Sequence, residues 1–405
     1  MLYELHELHH ALLEPWHVLA RAHHELFSHP FSPLSYHPLA DRVTASADLM
    51  QRLTRRYEKP AFRLNHTVIR GAEVAVTERA VLTKPFCTLL NFERAVARKD
   101  PKVLVVAPLS GHFATLLRDT VRALLPEHDV YLTDWTDAKM VPLAEGHFHL
   151  DDYVDYVREF IRFLGPDMHV ISVCQPTVPV LAAVSLMAAA DEPVKPHTMV
   201  MMGGPIDARR SPTAVNGLAT RKPLIWFERA LIQRVPAKYP GYMRRVYPGF
   251  LQWLGFVAMN PSRHADAHWD YFHHLIEGDG ESAAAHRRFY DEYNAILDLP
   301  AEFYLDTIRT VFQDFDLPLG RWRVHGEPVN PAAISRTALL TIEGELDDIS
   351  GNGQTESAHD LCRSIPARRR EHYLVPNVGH YGIFSGRKWR ETIAPRVGKF
   401  IRRHA

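Results

Sequence analysis

The feature that most constrains this chain is a series of short apolar runs separated by helical patterns. Val103–Ala107, Val130–Thr133, His169–Val173 and Thr198–Met202 are runs of strand-forming residues. Strands that alternate with helices pair in parallel, and a parallel sheet needs helices on both of its faces. After Met202 the alternation stops, and it resumes at Ala338–Ile342 and His372–Val375. An interval of about 130 residues far exceeds an ordinary connection, so we expect a helical cap inserted between late strands. Within it, Ala284–Leu297 is helical in pattern, and Trp226, Trp253, Trp269 and Trp322 read as core before polymer contacts. Ahead of the series, Val74–Thr83 and Cys87–Phe92 predict an opening antiparallel pair.

The expected organisation is an N-terminal helical segment over 1–60, an α/β core over 61–204, the inserted cap over 205–335 and the rest of the core over 336–405. The first segment carries Leu2, Leu5, Leu8 and Leu12 at helical spacing ahead of Pro15, and a stretch with Pro30, Pro33 and Pro38 follows. Docking on a surface, packing on the core and mediating a homo-oligomer are all open for it.

Lys plus Arg and Asp plus Glu both total 47, so the chain lacks the basic excess of a nucleic-acid binder and an uncharged partner fits better. The start, Met1–His6, has no signal-peptide pattern, which predicts a cytoplasmic protein. The longest apolar stretch, Val178–Ala190, is too short to span a bilayer and reads as a buried helix. Three cysteines without Cys-x-x-Cys spacing predict reduced thiols and no zinc site. The 25 histidines include a group at His6, His9, His10, His17, His23 and His24 and another at His264, His268, His273 and His274. No carboxylate and cysteine set completes either, so surface histidines are expected and no metal is assigned.

One strand run leads straight into Cys174-Gln175-Pro176 and then an apolar helical stretch, the layout of a nucleophile elbow in an α/β-hydrolase fold. The positions two before and two after the nucleophile, which usually hold glycine, are Ser172 and Pro176 here. Proline suits a first helical turn. The Gln175 amide would be an oxyanion donor, and the helix N-terminus would favour a Cys174 thiolate. A buried apolar cysteine at a strand end is the competing reading of Cys174. Its candidate partners follow in the order such folds require: Asp347 after Ala338–Ile342 and the glycine-flanked His380 after His372–Val375. Catalytic groups gather at the carboxyl ends of the strands, so the three would converge. The second oxyanion amide is expected after Val103–Ala107, from Leu109 or Ser110, beside Gly111.

The elbow Ser172–Pro179, with GELDDISGNG at Gly344–Gly353 and VGHYGIFSGRKW at Val378–Trp389, resembles the intracellular polyhydroxybutyrate depolymerases. The resemblance continues through Phe289–Thr307 and Trp322–Ala332 and covers most of the chain beyond residue 60. It implies a Cys-Asp-His triad at Cys174, Asp347 and His380, an uncharged polyester as substrate, and association with its storage granules. It implies no required cofactor, and leaves water or coenzyme A as acyl acceptor; no Gly-rich phosphate loop identifies a coenzyme A site. A polyester synthase-like acyltransferase is the alternative enzyme, disfavoured because synthases carry a glycine-flanked elbow. A non-catalytic granule-associated protein is the alternative outside catalysis.

Overall fold

The computed structural model describes residues 2–405. Two helices, α1 (Leu2–Ser28) and α2 (Ala40–Thr54), pack side by side ahead of the sheet. The sheet has nine strands: β1 His66–Ile69, β2 Ala72–Lys84, β3 Cys87–Arg94, β4 Lys102–Val106, β5 Asp129–Trp135, β6 Met168–Val173, β7 Thr198–Met202, β8 Ala338–Gly344 and β9 Arg370–Val375. Their order across the sheet is β1-β2-β3-β5-β4-β6-β7-β8-β9. The first three strands pair antiparallel, as does β3 with β5, and every pairing from β5 to β9 is parallel. This is the α/β architecture expected from the sequence, with the order inverted at β4 and β5 and consecutive strands beyond.

Burial follows from the pairing. Strands β6, β7 and β8 are buried at every position, as strands with both faces covered must be, whereas the edge strand β9 is half-buried over most of its length. Helices α3 (Arg118–Leu124), α4 (Leu150–Leu164) and α5 (Thr177–Ala189) form the crossovers. α4 packs beside α5, and the C-terminal helix Ala394–His404 packs beside α3. α5 is the buried apolar helix expected from its sequence, with Thr177 to Met187 all buried.

Between β7 and β8 lie α6 (Ala214–Arg221), α7 (Leu224–Leu231), α8 (Gly249–Met259), α9 (Pro261–Glu277), α10 (Gly280–Tyr293) and α11 (Ala301–Thr307). The second half of this interval shares the main core: Leu297, Leu299, Phe303, Trp322, Val324 and Val329 pack in the same cluster as the sheet. Of its tryptophans, Trp322 is buried, Trp226 and Trp253 are half-buried, and Trp269 is exposed.

α1 runs through Pro15 to Ser28. The proline side is exposed, and contacts on either side, such as Tyr3 Oη on Asp298 and His17 on Thr54, hold the helix to the body across the missing hydrogen bond. α10 begins at Gly280 and ends at Tyr293, four residues short of the expected Leu297, because residues 295–297 are extended and pair with the loop after β4. β8 continues two residues past Ile342, so Glu343 and Gly344 are strand rather than turn. The histidines of the two groups are half-buried or exposed, and some make specific contacts: His6 stacks on Phe250 with ring centroids 4.1 Å apart, and His264 is bonded by the Tyr290 and Tyr293 hydroxyls.

Other histidines are buried in the body. Burial lowers the pKa of His112 and of His169 to about 4 and lowers that of His128. Each is neutral in the fold yet takes up a proton at its ordinary value of about 6.5 when unfolded. The stability they contribute is therefore present above pH ~6.5 and is lost as pH falls from there toward ~4. Thermal melts over that interval should show a falling midpoint, and a flat profile would contradict this account.

Candidate active site

The site is built at the carboxyl ends of β6, β7, β8 and β9. β6 ends at Val173, and Cys174, with φ +68°, opens the three-residue turn Cys174-Gln175-Pro176 that leads into α5. A non-glycine side chain in that region costs ~1–3 kcal/mol and persists only where the surroundings impose it. Two contacts do so: the Cys174 amide donates to Met202 O at 2.7 Å, and Thr177 N donates to Cys174 O at 3.1 Å. Pro176 stands at the N-cap of α5 with φ −57°, already helical, so the turn needs no glycine there. Ser172 is buried with its hydroxyl on Val200 O at 3.2 Å, directed along the sheet and away from the turn.

Glycines do appear, but on the neighbouring strand. A Cβ on Gly204 would lie 1.8 Å from Thr177 Oγ1 and 2.4 Å from Cys174 O. On Gly203, at φ +56°, it would lie 2.6 Å from Ile383 Cδ1 and 3.3 Å from both Asp347 Oδ2 and His380 Cε1. The pair after β7 thus supplies the close approach that glycines within the elbow usually allow, which reading the elbow alone could not reveal.

Asp347 lies in the loop after β8, buried, and its two oxygens have separate tasks. Oδ1 accepts from Ile349 N at 2.9 Å and Ser350 N at 2.8 Å, and Oδ2 meets His380 Nδ1 at 2.8 Å. Asp347 thus also caps the turn that begins at Ile349, and the adjacent Asp348 points outward and is exposed. With Nδ1 engaged, the other ring nitrogen of buried His380 is left free for the Cys174 sulfur, whose charge is among the causes that raise the ring's pKa. Burial opposes a charge on His380, but the Cys174 sulfur and the Asp347 carboxylate outweigh it and raise its pKa to about 10. The structure therefore brings Cys174, His380 and Asp347 into one chain of contacts. The other two cysteines are buried away from it, and burial pushes both thiols up, Cys362 to about 12.

Among the described residues, the amides of Gln175, Leu109 and Ser110 have no hydrogen-bond partner within the chain. The loop carrying Leu109 and Ser110 is braced from the inserted segment: Leu297 N donates to Gly111 O at 2.8 Å, and His112 bridges to Ile296. Gly111, at φ +115°, leaves room for Gln252 Oε1, which a Cβ would meet at 2.7 Å.

Glu343 and Thr355 were not singled out from sequence. Buried Glu343 accepts from Gly353 N at 2.8 Å, Thr355 N at 2.7 Å and Glu356 N at 2.9 Å, which offsets the cost of a carboxylate in the core. Thr355 Oγ1 in turn accepts from Gly204 N at 2.8 Å and donates to Gly204 O at 3.0 Å. One metal-ligating group, Glu343 with Glu356 and His372, occurs among the described residues. The Glu343 oxygens are already occupied by those amides, so we assign no metal there.

The strand order, the elbow at Cys174 and the acid and histidine loops after β8 and β9 define an α/β-hydrolase. Residues 203–405, half of the chain, match the family model described as PHB de-polymerase C-terminus, and the chain belongs to that family. Ester hydrolysis is accordingly its class of chemistry. A comparison with curated protein sequences returned no match. Solved structures similar to this chain include the 2-hydroxy-6-oxo-6-phenylhexa-2,4-dienoate hydrolase from Rhodococcus sp. strain RHA1, at 13% identity and TM-score 0.46 over 81% of this chain and 99% of that one. A thermophilic esterase from Thermogutta terrifontis is similar at 14% identity and TM-score 0.43, over 84% and 98%. The Paleococcus ferrophilus monoacylglycerol lipase is similar at 13% and 0.42, over 76% and 96%. Resemblances this distant add nothing to what the topology establishes. No helix among the described residues is long and apolar enough to cross a membrane.

Proposed function

We propose that this protein cleaves the ester bonds of amorphous polyhydroxybutyrate, at its storage granules, through an acyl thioester on Cys174. The observation that carries this reading is the contact chain Cys174–His380–Asp347, with Cys174 on a strained turn at the head of a buried helix. His380 takes the thiol proton, and the raised pKa of its ring favours the imidazolium–thiolate pair. The sulfur attacks the ester carbonyl carbon, and the carbonyl oxygen becomes an oxyanion received by the Gln175 amide and by that of Leu109 or Ser110. As the C–O bond breaks, the imidazolium returns its proton to the departing alkoxide, which leaves as a hydroxyl chain end. Water then attacks the thioester with His380 as base, releasing a carboxylic acid and the free thiol. Asp347 holds the imidazole in one tautomer and stabilises its cation.

The test is incubation with amorphous polyhydroxybutyrate granules, with and without coenzyme A, and identification of the products. Released 3-hydroxy acids, independent of coenzyme A, are the expected result. Acyl-coenzyme A as the product would replace water by a thiol as acceptor. Turnover of a short chromogenic ester without any release from granules would sink the polymer while leaving the esterase.

Thr355→Val tests the support beneath the elbow. It keeps the side-chain shape but leaves Gly204 N–H without a partner and removes one of the two hydrogen bonds to Gly204 O, which keeps that from Ile206 N, and ~1–3 kcal/mol of stability is expected to be lost. A small shift of Cys174 against its partners should lower kcat by up to ~100-fold with KM unchanged, and Thr355→Ser should restore both. Unchanged kcat in the valine variant would reduce Thr355 to a packing residue.

A further inference from the structure

We infer that the outer face of α1 is a self-association surface whose occupant is the α1 helix of a second copy of this chain. The helix has two faces. Tyr3, Glu7 and Ala20 lie on the inner one: Tyr3 donates to Asp298 Oδ2 at 2.7 Å, and Glu7 pairs with Arg56 at 2.7 Å. On the outer face Leu5, Leu12, Leu19 and Leu26 recur every seven residues, with Leu8 and Trp16 between them. These six large apolar side chains are 46–64% exposed.

The period points to the occupant. Seven residues fall about 20° short of two helical turns, so the four leucines form a nearly axial row. Leucine knobs at that spacing fit the holes of another helix bearing the same row, and a twofold contact needs one patch that complements itself. A flat apolar surface would reward exposed area but not this period. A phospholipid surface fits worse still. Its helices carry Lys and Arg beside the apolar face, whereas the only Lys or Arg in Leu2–Ser28 is Arg21, engaged with Glu25 at 3.0 Å. At ~1.5 Å per residue the helix is ~40 Å long, enough for a pair to bury on the order of 1,000 Å², the size of a specific interface. Pro15 stands at the middle of the row and removes one backbone hydrogen bond there, so the contact is expected to centre on Leu12, Trp16 and Leu19 rather than coil along the full length of the helices.

The experiment is sedimentation equilibrium of the full chain at micromolar concentration. The expected result is a species of twice the 46.3 kDa chain mass. In the Leu12→Glu/Leu19→Glu variant, self-association should weaken at least ~30-fold, with thermal melting and turnover of a short soluble ester unchanged. Leu374→Glu, on an exposed leucine of β9, serves as control and should remain dimeric. A wild-type monomer, or a double variant that stays dimeric, overturns the inference. A wild-type monomer whose double variant no longer adsorbs to a polyester suspension would make the polymer the occupant, and the inference fails. Soluble-ester turnover separates all of these outcomes from failure of the esterase reading.

Discussion

Cys174→Ala is expected to abolish ester cleavage while the protein melts as the wild type does. The substitution removes one sulfur from a half-buried site and touches neither the amide bond to Met202 O nor the start of α5. Without the sulfur no acyl-enzyme forms, and the remaining polar groups should leave only the residual rate of a site lacking its nucleophile, several orders of magnitude below normal. Turnover would be followed on a chromogenic ester and on granules. Cys87→Ala and Cys362→Ala are the controls: both side chains are buried in the core, so they should cost stability and leave kcat near normal. Full turnover in Cys174→Ala, with loss in either control, would move the nucleophile elsewhere.

The second large effect concerns the adjacent aspartates. Asp347→Asn is expected to lower kcat by about 10⁴-fold, the scale reported for the corresponding change in serine proteases. The amide can donate where the carboxylate accepted and so favours the wrong tautomer of His380. The same substitution weakens the cap on Ile349 and Ser350, so a modest drop in melting temperature should accompany it. Asp348→Asn, at an exposed position, should change neither property. A severe loss confined to Asp348→Asn would reverse the assignment, and mild losses in both would put the acid on another strand.

These residues differ in how readable they were from the sequence. The parallel sheet was legible because β4, β6, β7 and β8 are covered on both faces and so appear as unbroken apolar runs. Cys174 and Asp347 each follow such a run, whereas His380 follows the half-buried edge strand β9 and was marked instead by the glycines on either side of it. Glu343 lies beyond the apolar run Ala338–Ile342 and gives no sign in the sequence of being buried, because the three loop amides that make it tolerable are contributed ten and more positions later. Thr355 left no local signal, because its two bonds to Gly204 span 151 positions. Gly203 and Gly204 look like an ordinary strand-to-loop junction, and their closeness to the elbow arises only from the pairing of β6 with β7. Helical spacing ahead of Pro15 does not show how far the helix runs, because the contacts that hold α1 through the proline come from distant parts of the chain.

The position of β8 between β7 and β9 also bears on how the protein is made. During synthesis β7 emerges long before its partner, and at 5–20 residues per second the intervening ~135 residues take roughly 7–27 s. Throughout that time Thr198–Met202 is an unpaired apolar edge, the kind of segment that recruits strands from other nascent chains. Tyr3 likewise waits for Asp298. The soluble yield of this protein should therefore depend on chaperone supply and fall when translation is slowed between β7 and β8, even for variants whose finished fold is as stable as the wild type.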